Sequence, residues 1–95
     1  MSTILEGKVA LVTGVSPAGP LGQAVATALA GKGAALAICA HTQSNVDARA
    51  KELRQAGARV LPLAANLTDE SQVSLLVKRT LDEYKKIDIL VNLAG

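Results

Sequence analysis

With 95 residues and a formal net charge of +2, the chain is long enough for one small domain that buries about 60–65% of its unfolded surface. Its apolar 49% is built from Ala, Val, Leu and Ile with a single aromatic, Tyr84. This favours thin layers of helix on sheet and argues against nucleic-acid binding, which draws on stacking aromatics and clustered cations. One cysteine excludes a disulfide within the chain, and no apolar run reaches the length of a membrane span, so a cytoplasmic protein of a reducing compartment is expected.

The first apolar run, Lys8 to Thr13, reads as a strand buried on both faces. A glycine-rich stretch follows, and an Ala-rich helix then runs from Pro20 to Lys32, where Gly31 and Gly33 stop it. Pro suits a first helical position because its missing N–H has no partner there anyway. Leu36 to Ala40 is a second strand. Its Cys39 sits in an apolar run and reads as a buried small residue rather than a nucleophile or metal ligand. A polar turn over His41 to Ser44 leads into a second helix, with Ser44 as the expected cap and Asp47 as its acidic partner. Val46, Ala50 and Leu53 keep helical spacing up to Gly57.

Arg59 to Ala64 is the third strand. Pro62 within it cannot donate to a ladder, which places the strand at or near an edge. Thr68 is the expected cap of a third helix, with Asp69 and Glu70 in its first turn. Val73, Leu76, Val77, Leu81 and Tyr84 fall on one apolar stripe, and Lys85 and Lys86 suit its C-terminal end. Ile87 to Asn92 is a fourth strand, and Leu93-Ala94-Gly95 closes the sequence. Strands and helices thus alternate as β-α-β-α-β-α-β. The expectation is an α/β fold, a Rossmann-type doubly wound parallel sheet of strand order 3-2-1-4, with a ligand crevice between strands one and four.

The stretch Thr13-Gly14-Val15-Ser16-Pro17-Ala18-Gly19-Pro20-Leu21-Gly22 lies between a strand and a helix. Glycines there let the backbone turn tightly and approach a ligand, while the free N–H groups of the helix start attract an anion. Further signals are Gly22-Gln23-Ala24-Val25-Ala26 leading to Leu29-Ala30 and Gly33-Ala34, Asn66-Leu67-Thr68-Asp69 after strand three, and Asp88-Ile89-Leu90-Val91-Asn92-Leu93-Ala94-Gly95. Together these resemble the N-terminal part of the short-chain dehydrogenase/reductase family over nearly the whole chain. The last of them is similar to the family's Asn-Asn-Ala-Gly motif, with Leu93 at the second Asn.

The resemblance implies a nicotinamide dinucleotide cofactor and hydride transfer to or from a small carbonyl or alcohol substrate, by a parent protein that is a homo-oligomer. Gly14, Ser16, Gly19, Leu21 and Gly22 would lie along the cofactor phosphates and ribose. Asn66 and Leu67 would flank the adenine, and Asn92, Ala94 and Gly95 the ribose side of strand four. Ala40 stands where users of NAD carry an acid for the ribose 2′-hydroxyl. With His41 and Thr42 next to it, the reading tilts to NADP, with NAD as the alternative.

The sequence departs from the family pattern in its glycine loop, two residues longer than usual and with Pro20 at the middle glycine, and in Asn66 at a usual Asp. The loop length is similar to that of enoyl-thioester reductases, an alternative within the enzyme class. The family's catalytic Ser and Tyr-x-x-x-Lys find no match, since Tyr84 is followed four residues on by Asp88. Residues 1–95 are therefore expected to be a partial NAD(P)-binding domain, truncated after strand four and inactive alone. A reading from another class is a non-catalytic nucleotide-binding or self-associating module, in which the apolar edge Ile87 to Val91 pairs with another chain.

Overall fold

The structure, a computed structural model, describes residues 4–15 and 20–93. Ser16, Gly19, Ala94 and Gly95, four of the expected cofactor contacts, lie outside the described residues. The elements run β1 (Val9–Thr13), α1 (Pro20–Gly31), β2 (Ala35–Ala40), α2 (Gln43–Gln55), β3 (Val60–Ala64), α3 (Glu70–Tyr84) and β4 (Ile89–Asn92). The strands form one parallel sheet in the order β3-β2-β1-β4, as the alternation of elements predicts.

Successive side chains of a strand face opposite sides, and the two cores follow that rule. On one side Ala10, Val12, Leu36, Ile38 and Ala40 pack against Ala26 of α1 and Val46, Ala50 and Leu53 of α2. On the other, Val9, Leu11, Ala37, Cys39 and Leu63 pack against Leu76 and Tyr84 of α3. The sheet is thus wound on both faces, and β1 and β2, flanked on each side, are buried almost throughout.

β3 forms the edge that Pro62 requires. The Arg59 carbonyl accepts from the Leu36 amide and the Ala65 amide donates to the Ala40 carbonyl, so odd-numbered residues of this segment face β2. By the same alternation Pro62, opposite Ile38 in register, turns its missing donor to the open side, and the ladder to β2 loses no bond.

Two helix starts differ from their sequence reading. The N-cap of α3 is Asp69, whose carboxylate accepts from the Ser71 amide at 2.9 Å and hydroxyl at 2.6 Å. Thr68 instead donates its amide and hydroxyl to Asn66 Oδ1, at 3.0 and 2.7 Å, in the turn before the helix. A carboxylate is the stronger acceptor for free helix N–H groups, and it sets the start one residue later. In α2 the cap position is Thr42, without a side-chain cap bond. Ser44 is already helical, and Asp47 accepts from Gln43 Nε2 at 2.8 Å across one helical turn.

The stripe of α3 is narrower than its spacing suggests. Its buried seam is Leu76, Thr80 and Tyr84, while Val77 and Leu81 are 36% and 41% exposed. β4 starts at Ile89 rather than Ile87. Just before it, Asp88 Oδ2 accepts from the Val9 amide at 2.8 Å and the Asp88 amide donates to the Val9 carbonyl at 2.9 Å. This pair ties the start of β4 to the start of β1.

Candidate functional site

The C-terminal ends of β1, β2 and β3 surround a cavity of about 370 Å³, lined by Gly14, Cys39, Ala40, His41, Ala65, Asn66, Leu67 and Thr68. Four residues expected from the sequence to contact a cofactor, Gly14, His41, Asn66 and Leu67, are brought together there from three separate strand ends. In open α/β sheets ligands bind outside the carboxyl ends of the strands. A second cavity of about 380 Å³ lies at the opposite end, among Gly7, Lys8, Gly33, Arg59 and Tyr84, and takes in none of the expected residues.

Gly14 turns the chain at the end of β1 with φ 84°, a left-handed conformation that favours glycine. Its amide and that of Val15 both donate to the Cys39 carbonyl at 3.0 Å. Those two N–H groups are therefore committed to holding the turn against β2 and are not free for a ligand. Pro20 has no N–H, so Leu21 and Gly22 carry the first free amides of α1. Leu21 is 62% exposed, while Gly22 is buried against the β1 turn. A Cβ on Gly22 would come within 2.7 Å of the Gly14 carbonyl oxygen and 2.9 Å of Val15 Cα. Only glycine lets the helix start sit this close to the strand end.

Asn66 shapes the far wall. Its Oδ1 holds Thr68, and its amide donates to Gln72 Oε1 at 2.7 Å. Thr42 is exposed at the N-terminal boundary of α2, outside the cavity lining. Asn92 ends β4 on the other side of β1, where Thr13 Oγ1 donates to its Oδ1 at 2.8 Å. That bond occupies the amide's acceptor and leaves its NH₂ group to donate elsewhere. Asn92 and Leu67 also line an apolar groove of about 320 Å³ between α3 and β4.

Thr13 and the Cys39 carbonyl are site elements that sequence reasoning missed. Thr13 carried a signal, as a polar residue ending a buried strand at the same edge as Asn92. A backbone carbonyl carries none. Cys39 itself is 1% exposed, and burial pushes its thiol up against a smaller opposing bond from the Ala65 backbone, which leaves it a packing residue. Tyr84 is spent as well, since its hydroxyl donates to the Leu36 carbonyl at 2.8 Å and burial pushes it up, against the opposing charge of Arg59. Among the described residues no group of His, Cys, Asp and Glu could hold a metal, and no helix is long and apolar enough to cross a membrane.

The short chain dehydrogenase family model matches residues 8–95. The chain belongs to that family. It is 36% identical over 91 residues to the 3-oxoacyl-[acyl-carrier-protein] reductase FabG of Thermotoga maritima, covering 96% of this chain and 36% of that protein. It is 42% identical over 91 residues to the glycine betaine reductase ATRR of Emericella nidulans, covering 96% of this chain and 7% of that one. Among solved structures, a putative short-chain dehydrogenase/reductase of Burkholderia xenovorans superimposes with a TM-score of 0.89 at 36% identity, over 99% of this chain and 37% of that one. A variant of actinorhodin polyketide ketoreductase with NADPH gives a TM-score of 0.86 at 30% identity, over 100% and 35% of the two chains. The chain thus spans about a third of the length of most of these family members.

Proposed function

We propose that this chain forms the NADP(H)-binding part of a short-chain oxidoreductase that moves a hydride between the dinucleotide and a small carbonyl or alcohol. The observation that carries the reading is the convergence of Gly14, His41, Asn66 and Leu67 on one cavity beside the start of α1. The residues fit the group: the wall of Ala40, Ala65 and Leu67 suits an adenine face, Asn66 offers it a polar edge, and the α1 start offers amides to a pyrophosphate. Leu21 and Gly22 would take the phosphates, and Asn92, oriented by Thr13, would donate to the ribose side. Ser16, Gly19, Ala94 and Gly95 complete the proposed set. The bound dinucleotide would supply the hydride chemistry; the residues of this chain bind and orient it.

NADP is preferred because the end of β2 offers no carboxylate. Ala40 stands at that position, 4% exposed, followed by His41 and Thr42, so nothing there repels a 2′-phosphate. Residues 1–95 contain no Tyr-x-x-x-Lys, and their one tyrosine is consumed in packing. We infer that this stretch alone binds cofactor without turning over substrate. Titration with NADPH and with NADH, followed by nicotinamide fluorescence, tests the reading. Saturable binding with NADPH the tighter is expected. Equal or tighter NADH overturns the preference, and the absence of saturable binding overturns the dinucleotide reading itself.

A second reading rests on a different observation. Leu90 of β4 is 65% exposed and lines the groove between β4 and α3 together with Val73 and with Val77, itself 36% exposed. This is a surface suited to pairing with a second copy.

A further inference from the structure

A 2′-phosphate calls for a cation, and the cavity lining contains no lysine or arginine. The sequence has none between Lys8 and Lys32, between Lys32 and Arg49, or between Arg59 and Lys78. The first cation after the end of β2 is therefore Arg49, in α2.

Its placement is unusual for a helix-surface arginine. Arg49 Nη2 lies 2.9 Å from Glu52 Oε1, and the Arg49 side chain is only 23% exposed. Gln23 Nε2 of α1 donates to Glu52 Oε2 at 3.2 Å. Arg49 Nε and Gln23 Oε1 are both buried, with no hydrogen-bond partner among the described residues. This cluster therefore holds an unused donor and an unused acceptor out of water, a costly arrangement for polar atoms.

The Gln23–Glu52 bond also joins α2 to α1 one helical turn below Arg49. α1 and α2 lie on the same face of the sheet, and both lead away from the C-terminal ends of parallel strands. Gln23 is three residues past Pro20, the start of α1, and Glu52 is three residues past Arg49. At 1.5 Å per residue each offset is about 4.5 Å, which brings Arg49 within side-chain reach of the start of α1, the end where phosphate is expected.

We propose that Arg49 recognises the 2′-phosphate of the cofactor, turning its guanidinium from Glu52 towards the start of α1. The inference rests on the NADP reading above and names the residue that enforces it. The exchange is favourable because a partly exposed Arg–Glu pair one turn apart is weak, whereas a phosphate gives a guanidinium a doubly charged, bidentate partner.

The test is the affinity for NADPH and for NADH of wild type, Arg49→Gln and Glu52→Gln, read by nicotinamide fluorescence with far-UV circular dichroism as the fold control. R49Q is expected to weaken NADPH about tenfold or more while NADH stays within about twofold, as loss of a charged phosphate contact requires. E52Q, which releases the arginine, is expected to tighten NADPH. R49Q that leaves NADPH unchanged, or weakens both cofactors by the same factor, overturns the proposal. Should R49Q fail to fold, E52Q decides, and unchanged NADPH affinity overturns it. Wild type that prefers NADH overturns the NADP reading and this inference with it, and is told apart from failure at Arg49 alone because it shows before any substitution.

Discussion

At Gly22 the fold leaves no room for a side chain. A methyl group there would press on the Gly14 carbonyl at 2.7 Å and on Val15 Cα at 2.9 Å, both backbone atoms that cannot turn aside. Gly22→Ala should therefore cost about 1–3 kcal/mol of stability, the range for overpacking. It should also push the start of α1 off the strand end and weaken NADPH binding. Urea denaturation and a cofactor titration measure the two effects, and a variant matching wild type in both would contradict the close approach. Asp88 makes a different prediction. The Val9 amide, ahead of the bond from Lys86, holds its carboxyl below the usual carboxylate range. A carboxyl whose pKa is lower folded than unfolded stabilises the fold above its unfolded value, and the contribution is lost as pH falls through the folded value. The urea midpoint should accordingly drop between about pH 5 and pH 2, around the ordinary Asp pKa, and Asp88→Asn should flatten that drop. Equal slopes in the two proteins would rule Asp88 out as a contributor.

Among the elements, α3 shows most clearly where local patterning stops informing. Its cap is Asp69, which accepts from Ser71, while Thr68 serves the turn through Asn66. Asp69→Ala should lower the melting temperature more than Thr68→Ala, and the reverse order would restore Thr68 as the cap. Thr68 and Asp69 are adjacent and both suit a cap, so the sequence places the helix start to within a residue, and only hydrogen-bond geometry decides between them. The element order, the edge position of Pro62 and the double winding were legible because each follows from hydrophobic period and the handedness of crossovers. The convergence of Gly14, His41, Asn66 and Leu67 was legible only in part: strand ends in a parallel sheet share one rim, but the cavity lies at the ends of β1, β2 and β3 rather than between strands one and four, where the sequence reading puts the crevice. The width of the α3 stripe was not legible. Val77 and Leu81 have the right period, yet their burial depends on what stands beyond β4, which no local pattern specifies. Arg49 was hidden for a similar reason, as its surroundings are built by a bond between α1 and α2 from residues 29 positions apart.

For the whole molecule, the two faces of the sheet differ in how completely they are covered. α1 and α2 close one face with a continuous core, whereas α3 alone leaves Leu90, Leu75 and Leu81 in water. Light scattering over a concentration series should show association, and Leu90→Lys should shift it towards monomer by placing a charge on the strand edge. A wild-type chain that stays monomeric at every concentration would remove the self-association reading. The outward-facing proline of β3 gives this asymmetry a direction. The sheet resembles a polymer with one end capped: Pro62 removes a donor where a further strand would have to join, at no cost to the ladder already built. Growth is left to the β4 side. Any strand that enlarges this sheet, from the same polypeptide or from a neighbour, is steered to the side that already holds Asn92.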